Sequence, residues 1–324
     1  MKTTPASLLL VSALACAAAA APLPFAVPKD APPPTRPAYT APRGEIPPCA
    51  GATTLTVTLD TDEILTGDTT GGTSAVSGYD CVGWQETGPE AVWLLDVQQD
   101  MNLHVRLEAE VDLDLFLLTD CDSDACAAWH TGEFVVNLPS RPEPYVLVVD
   151  GYLGAEGPFS VTLNAFASGP PPEVCGEAEP VACDETPVEI VGNLFERPNR
   201  LLADVCATYL EWGGEQWFTF SLSDSAEVSA DISNHFFDVA LWLFDGCEPG
   251  SRCVAFADEN GVEGAETLTY RNLTGAAHTY VLAVDAFREI VSESGGAFLL
   301  TTTCEGQSVP AETRSFGDIK AMFR

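Results

Sequence analysis

The sequence predicts an all-β protein built from two tandem antiparallel β-sandwiches that are clipped by disulfide bonds. Three observations lead to this class. Apolar residues alternate with a period of two, strictly so at residues 55–59 and 103–107. Thr, Gly, Asp and Pro interrupt these runs at about ten-residue spacing, which is typical of an antiparallel sandwich. Finally, the two halves of the chain repeat each other.

The repeat is clearest where residues 81–95 align without gaps with residues 206–220. Both segments contain a cysteine, an aromatic residue at +3, Glu at +5, Gly at +7, Glu at +9 and an aromatic residue at +12. The matched residues are Cys81, Trp84, Glu86, Gly88, Glu90 and Trp93 in the first copy and Cys206, Tyr209, Glu211, Gly213, Glu215 and Phe218 in the second. Residues 112–121 and 145–150 match residues 238–247 and 280–285 in the same order, which indicates a tandem duplication.

These patterns divide the chain into six parts. We expect a signal peptide at 1–21, a proline-rich linker at 22–48, the first sandwich at 49–168, a proline linker at 169–174, the second sandwich at 175–305 and a tail at 306–324. Ten prolines lie between positions 22 and 48. Because such a segment cannot form a core, we expect it to be an extended, semi-rigid spacer.

The N-terminus has the pattern of a secretory signal, with a lysine at position 2, an apolar run at 7–15 and small residues up to Ala21. We expect cleavage after Ala20. Lipidation at Cys16 is the alternative, because residues 13–16 loosely resemble a bacterial lipobox, although its usual leucine is one place out of register. No other apolar run is long enough to span a bilayer, so the sequence predicts no transmembrane segment and a secreted, periplasmic or cell-envelope bacterial protein.

The cysteines support export. Of the eleven cysteines, Cys16 lies in the signal region, and an even number therefore remains for the exported chain. The repeat suggests five bonds: Cys49–Cys81, Cys183–Cys206, Cys121–Cys126, Cys247–Cys253 and Cys175–Cys304. Sequence alone does not fix this connectivity. A structural zinc site is disfavoured because the paired Cys-x2-Cys spacing is absent.

The charge excludes some partners. The chain has 48 acidic and 14 basic side chains and a formal net charge of −34. Nucleic acid and anionic membrane surfaces both need clustered Lys and Arg, so neither is expected as a partner. Enzyme signatures are also absent from the sequence, including the Gly-x-Ser-x-Gly and His-Glu-x-x-His motifs, and we expect a non-catalytic protein.

The strand motifs at residues 111–118 and 145–163 resemble bacterial pre-peptidase C-terminal (PPC) domains. The resemblance implies a jelly-roll-like sandwich that is exported and usually non-catalytic, in a family where some members bind calcium and others bind matrix or carbohydrate polymers. The second copy departs from the pattern, since Ala240 stands where the first copy has Asp114. The cysteines are not general in that family, which suggests a specialised secreted branch.

Calcium is the cofactor that the sequence suggests. Asp120, Asp122 and Asp124 place three carboxylates at alternate positions of a turn, and the second copy offers Asp258 and Glu259. Hard oxygen ligands on a tight turn suit Ca²⁺. The turn lacks the glycine and the final glutamate of an EF-hand loop, and solvated acidic turns are the alternative interpretation.

Two matched carboxylate pairs are further candidates. Asp112 and Asp238 occupy equivalent positions, as do Glu90 and Glu215. Each pair is either a set of ligands or a set of carboxylates that cap turns.

Several aromatic residues could form a stacking platform for sugars. Trp84 matches Tyr209 and Tyr152 matches Phe287, so we expect these four to pack beneath loops. Trp129 and Trp212 have no aromatic counterpart and are the better candidates for ligand-facing residues.

The sequence therefore predicts a secreted or cell-envelope binding or adhesion protein, with calcium as a candidate stabilising ion, that recognises an extracellular polysaccharide or protein. The alternatives are a purely structural envelope protein and a secreted hydrolase whose site is not recognised.

Overall fold

The computed structural model describes residues 23, 25–29, 35–40, 42–45, 47–207, 209–233, 235–248, 250–262, 264–288, 290 and 296–307. The predicted signal peptide up to residue 21, Cys16 and the tail from residue 308 lie outside this part of the chain. The described part contains nineteen strands and two short 3-10 helices, so the all-β class is confirmed. None of its helices is long and apolar enough to cross a membrane.

The first sandwich consists of two five-stranded sheets. One has the strand order β1-β8-β5-β10-β3 and the other has the order β2-β4-β9-β6-β7. The bounds are β1 (Phe25–Ala26), β2 (Thr53–Val57), β3 (Asp62–Asp68), β4 (Ala91–Val97), β5 (Met101–Ala109), β6 (Leu113–Leu118), β7 (Cys126–His130), β8 (Glu133–Leu138), β9 (Tyr145–Gly151) and β10 (Pro158–Phe166).

The second sandwich repeats the order of nine of these ten strands, as the predicted duplication requires, and β1 has no counterpart among the described strands. Its sheets have the orders β11-β13-β18-β15-β16 and β12-β19-β14-β17. The bounds are β11 (Glu179–Pro180), β12 (Val188–Asn193), β13 (Gln216–Leu222), β14 (Glu227–Ser233), β15 (Val239–Phe244), β16 (Cys253–Ala257), β17 (Glu266–Arg271), β18 (His278–Ala286) and β19 (Ala297–Glu305). Even the register shift between β6 and β7 recurs between β15 and β16.

Each sandwich has its main core between its two sheets. Every second residue of a strand faces this core, as period-two alternation requires. The central strand β9 is buried along its whole length, because Leu147 and Val149 face the main core while Val146 and Val148 face an outer cluster. That cluster is covered by the β3–β4 loop, which contributes Val76 and Tyr79. We call residues 69–90, and their counterpart 194–215 in the second sandwich, the covering loops.

All ten predicted cysteines form disulfide bonds, but all five predicted pairings are wrong. The bonds are Cys49–Cys121, Cys81–Cys126, Cys175–Cys247, Cys183–Cys304 and Cys206–Cys253. Cys121 and Cys126 flank a 3-10 helix at Ser123–Ala125, so they do not bond to each other. Cys121 reaches the segment before β2, and Cys126 reaches the covering loop.

The observed bonds also revise which cysteines are equivalent. Cys49 corresponds to Cys175, not to Cys183, because both lie 72 residues before their partners. Cys183–Cys304 has no counterpart in the first sandwich and ties the segment before β12 to β19.

The proline-rich segment is not a free spacer. Phe25 and Ala26 add a short antiparallel strand to β8, and Val27 forms a bridge with Tyr209 of the second sandwich. Ala26 is buried in an apolar cluster with Val135 of the first sandwich and residues of the second. An exposed sheet edge offers backbone groups to any extended segment, so this segment folds onto β8. We call its described residues, 23, 25–29, 35–40 and 42–45, the N-terminal strap.

Candidate functional site

The acidic turn at residues 120–124 is shaped by local hydrogen bonds. One carboxylate oxygen of Asp122 accepts from the Asp124 N–H at 2.9 Å and caps the 3-10 helix. Asp120 accepts from the Cys121 N–H at 2.7 Å. Among the described residues, the ligand atoms of three His, Cys, Asp or Glu side chains converge within 4.8 Å at Asp80, Cys81 and Cys126, and these cysteines are disulfide-bonded. The carboxylates of the turn are not among the groups that converge in this way, so this geometry adds no support for Ca²⁺, and calcium stays a prediction.

Asp258 and Glu259 follow β16 but do not act together. The Glu259 N–H donates to the Glu266 carboxylate at 3.0 Å, and the Glu259 side chain is exposed. The Asp258 side chain is buried and accepts a hydrogen bond from Lys29 of the N-terminal strap. This contact belongs to one of two matched sites.

The first site lies where the covering loop meets β6 and the end of β9. Arg36 of the strap enters it, and only 4 % of its side chain is exposed. The guanidinium donates to Asp112 at 2.5 Å, to Glu86 at 3.2 Å and to Asp114. Its central carbon lies 4.2 Å from the ring centroid of Tyr152 and 4.9 Å from that of Trp84. We call Trp84, Glu86, Asp112, Asp114 and Tyr152 the first socket.

The second site is the counterpart in the other sandwich. Lys29 Nζ lies 2.8 Å from an oxygen of Asp238 and also pairs with Asp258. The same nitrogen lies 5.7 Å from the ring centroid of Tyr209 and 5.9 Å from that of Phe287. The second socket consists of Tyr209, Glu211, Asp238, Asp258 and Phe287.

Four of the five residues in each socket occupy equivalent positions in the repeat. The fifth residue is acidic in both sockets but comes from a different position in each copy. Ala240 of β15 replaces Asp114 of β6. Asp258 supplies the missing carboxylate from the end of β16, the strand next to β15. Each socket therefore keeps three acidic side chains and two aromatic rings around one basic side chain. This arrangement combines ion pairing with cation–π attraction.

Burial changes the protonation of the sockets. In the first, burial raises the pKa of Glu86 to about 10, and its hydrogen bond with Asp114 and that group's negative charge add to the shift. In the second, burial and the nearby charge of Asp258 hold the pKa of Glu211 well above its usual range. Burial also raises the pKa of Asp258 to about 6, against the lowering effect of Lys29. Glu86 is thus protonated at neutral pH, and the raised pKa of Glu211 favours its neutral form in the second socket; both effects limit the repulsion among the acidic groups.

Two matched glycines allow each covering loop to lie close to the end of β9 or of β18. Backbone N–H groups of Gly88 and Gly213 donate to Gly151 and Ala286 at 2.8 and 2.7 Å. A Cβ on Gly88 would lie 2.5 Å from the Ala155 carbonyl oxygen, and one on Gly213 would lie 2.2 Å from that of Ala286. Only glycine allows this close approach. It brings Glu86 and Glu211, which stand two residues before these glycines, into the sockets.

The structure separates the two matched carboxylate pairs. Asp112 and Asp238 bind the strap's cations, whereas Glu90 and Glu215 cap backbone within the covering loops. Glu90 accepts from the Val76 N–H at 2.6 Å, and Glu215 accepts from the Leu201 N–H at 2.7 Å. Trp84, Tyr209 and Tyr152 are half-buried and Phe287 is buried, in agreement with the expected packing, and these four rings also contact the two basic side chains of the strap.

Glu215→Gln is expected to flatten the dependence of stability on pH. Burial raises the pKa of Glu215 to about 7, against the lowering effect of hydrogen bonds from Arg200 and Leu201. The folded state therefore binds a proton that the unfolded state releases near pH 4, and the stabilisation is lost as pH rises through 7. Gln keeps the acceptor oxygen and cannot ionise. Relative to wild type, the variant should gain about 1–3 kcal/mol between pH 5 and pH 8.

Thermal melts at several pH values would measure this gain. Glu189→Gln changes the net charge equally at an exposed strand position and is the matched control. A parallel pH dependence for Glu215→Gln and wild type would contradict the assignment.

The two candidate ligand-facing tryptophans differ. Trp129 packs edge-on against Trp84 of the first socket, with ring centroids 4.7 Å apart. Trp212 is 39 % exposed and lies 5.7 Å from the ring of His104, which belongs to the other sandwich. It lines a cleft between the sandwiches of about 360 Å³, together with His104, Asn164, Phe166, Asn199, Arg200 and Leu202. Trp212 is therefore the exposed aromatic residue in a concave surface.

Sequence reasoning missed the sockets as units. The signal was present in the matched pairs Glu86 and Glu211, Asp112 and Asp238, and the two aromatic pairs, together with basic residues at 29 and 36 of a proline-rich segment. The spacing of these residues does not show that the N-terminal strap, which lies outside the repeat, contacts both sandwiches.

Comparison with known proteins identifies no relative. No protein-family model matches the chain, and no curated protein matches it. A periplasmic inhibitor of g-type lysozyme, PliG from Aeromonas hydrophila, is 13 % identical over 35 % of this chain and 96 % of its own, with a TM-score of 0.25. PliG from Salmonella Typhimurium is 14 % identical over 35 % and 99 %, with a TM-score of 0.22. The CUB1-EGF-CUB2 region of human MASP-1/3 is 12 % identical over 74 % and 98 %, with a TM-score of 0.20. Likeness at this level assigns neither a family nor a ligand, and the resemblance to PPC domains stays a prediction.

Proposed function

We propose that this is an exported, non-catalytic binding protein that holds an extracellular polysaccharide chain in the cleft between its sandwiches. The observation that carries the proposal is the half-exposed indole of Trp212 in a concave surface lined by both apolar and polar side chains. An indole face stacks on the apolar face of a sugar ring, and neighbouring polar groups fix its orientation.

The polar groups of the cleft suit hydroxyl groups. Asn164, Asn199 and His104 offer donors and acceptors, and Arg200 adds a guanidinium that is held by Glu177 at 2.8 Å. The volume of the cleft lies in the range of small-ligand sites. Because the chain carries a formal charge of −34, a neutral polymer suits it better than an acidic one.

Export is supported by the disulfide bonds. Five bonds join all ten cysteines outside the predicted signal segment, and disulfides persist in oxidising compartments such as the periplasm or the medium. The apolar run near the N-terminus supports the same proposal.

Trp212→Ala is expected to weaken binding of the polysaccharide by about five- to a hundredfold, since truncating an aromatic residue at a binding site costs about 1–3 kcal/mol. Binding would be measured by titrating soluble neutral polysaccharides and following tryptophan fluorescence, and by co-sedimentation with insoluble ones. Phe236→Ala is the control, because Phe236 is 70 % exposed and lies outside the cleft. Equal binding by wild type and Trp212→Ala, or no binding by wild type, would overturn the proposal.

A further inference from the structure

The two sockets share no residue with the cleft. Their acidic and aromatic residues all come from the sandwiches, whereas the basic residue comes from the strap. Arg36 lies 50 residues from Glu86, and Lys29 lies 209 residues from Asp238. Each socket is thus formed by a sandwich and occupied by a basic side chain of the strap.

The two sockets accept different cations. The first holds a guanidinium and the second holds an ammonium group, yet both present two aromatic rings at equivalent positions and three carboxyl groups. A contact that served only to fix one loop would have no reason to keep this arrangement while its occupant changed. Such a set of groups selects a basic side chain by charge and by flat aromatic faces.

The strap also contacts the sandwiches outside the sockets. Its backbone pairs with β8 over two residues and bridges to Tyr209, and Ala26 is buried in a cluster shared with both sandwiches. Tyr39 and Glu45 form side-chain hydrogen bonds with Ser77 of the first covering loop. The buried residues of the two main cores nevertheless all belong to the sandwiches, so release of the strap would leave these cores intact and expose the cluster around Ala26.

The spacing of the two cations defines the ligand further. Lys29 and Arg36 are seven positions apart, which allows a reach of up to about 25 Å in an extended chain. Prolines favour this extended conformation and lower the entropy lost on binding. The strap is also tethered, because Cys49 is fixed to Cys121, and tethering raises its effective concentration at the sockets to the millimolar range.

We propose that the two sockets are binding sites for the basic side chains of an extended polypeptide, and that the N-terminal strap occupies them as a tethered, displaceable ligand. The ligand class is a proline-containing segment with Lys or Arg at the spacing of positions 29 and 36. Release of the strap would expose both acidic sites.

The test uses the full chain with the double substitution Lys29→Ala and Arg36→Ala, which removes the resident cations, and a synthetic peptide of residues 22–40. The double variant should bind this peptide at least tenfold more tightly than wild type, measured by fluorescence anisotropy of the labelled peptide. A peptide with Ala at 29 and 36 should not bind. Adding Asp112→Asn and Asp238→Asn to the double variant should abolish binding. A folded double variant that binds neither peptide would overturn the proposal.

A second measurement does not depend on any variant. Hydrogen exchange of the wild-type chain should become faster at residues 25–29 and 35–40 when the wild-type peptide is added in excess, because the peptide replaces the strap. The alanine peptide should leave exchange unchanged. Identical exchange with both peptides at saturating concentration would mean that the strap is a permanent part of the fold, and would overturn the proposal.

Discussion

Arg36→Ala is expected to lower the free energy of unfolding by about 3–5 kcal/mol, the cost of removing one partner from a buried ion-pair network. The side chains of Arg36, Glu86 and Asp114 are each at most 4 % exposed, so the variant leaves two buried carboxyl groups without their basic partner. The aromatic contacts with Trp84 and Tyr152 are lost at the same time. Chemical denaturation, followed by tryptophan fluorescence, would measure the change.

Arg106→Ala is the matched control for this prediction. Arg106 pairs with Glu108 at 3.1 Å, but both side chains are more than half exposed. Removing such a pair costs about 1 kcal/mol or less. If the two variants lost the same stability, the burial of the first socket would have no energetic consequence, and our account of that site would be wrong.

Removing the Cys183–Cys304 bond with two alanines is expected to destabilise the second sandwich by about 5 kcal/mol. The bond joins residues 121 positions apart, and the unfolded chain gains the entropy of that long loop when it is absent. Cys304 is also fully buried in the second core, so some packing is lost as well. Thermal melting of the double variant would show the effect.

The same variant tests the connectivity. With the observed pairing, the remaining cysteines of the described chain stay paired, and a thiol assay under denaturing conditions should find no free thiol from them. With the pairing suggested by the sequence, Cys175 and Cys206 would each lose a partner. The control is the double variant Cys206→Ala with Cys253→Ala. It removes another observed bond, between residues 47 apart, and should likewise leave no free thiol. Two free thiols in the first variant would contradict the structure.

The disulfides show why spacing alone misled the sequence analysis. Cys121 and Cys126 are close in the sequence, so a bond between them across the short loop was expected. The 3-10 helix between them turns their side chains toward two different segments. Whether two cysteines can bond depends on the distance and direction of their Cβ atoms, which the chain's path through space decides.

The second socket shows a limit of comparing the two copies position by position. Aligning the repeats reveals that Asp114 is replaced by Ala240, and it suggests that the acidic site is lost. Asp258 restores the charge from a neighbouring strand, eighteen positions later. Compensation of this kind depends on the adjacency of β15 and β16, and so it cannot be found by comparing equivalent positions.

The sequence by itself determined the all-β class, the duplication and the set of ten bonded cysteines. These follow from local periodicity and from self-similarity, which need no knowledge of distant contacts. Only the tertiary structure decided the cysteine pairing, the cleft that contains Trp212 and the role of the proline-rich segment. Composition correctly indicated that the segment has no core of its own. It could not show that Arg36 and Lys29 would be neutralised inside two folded domains, because that depends on sites assembled from strands and loops far apart in the chain.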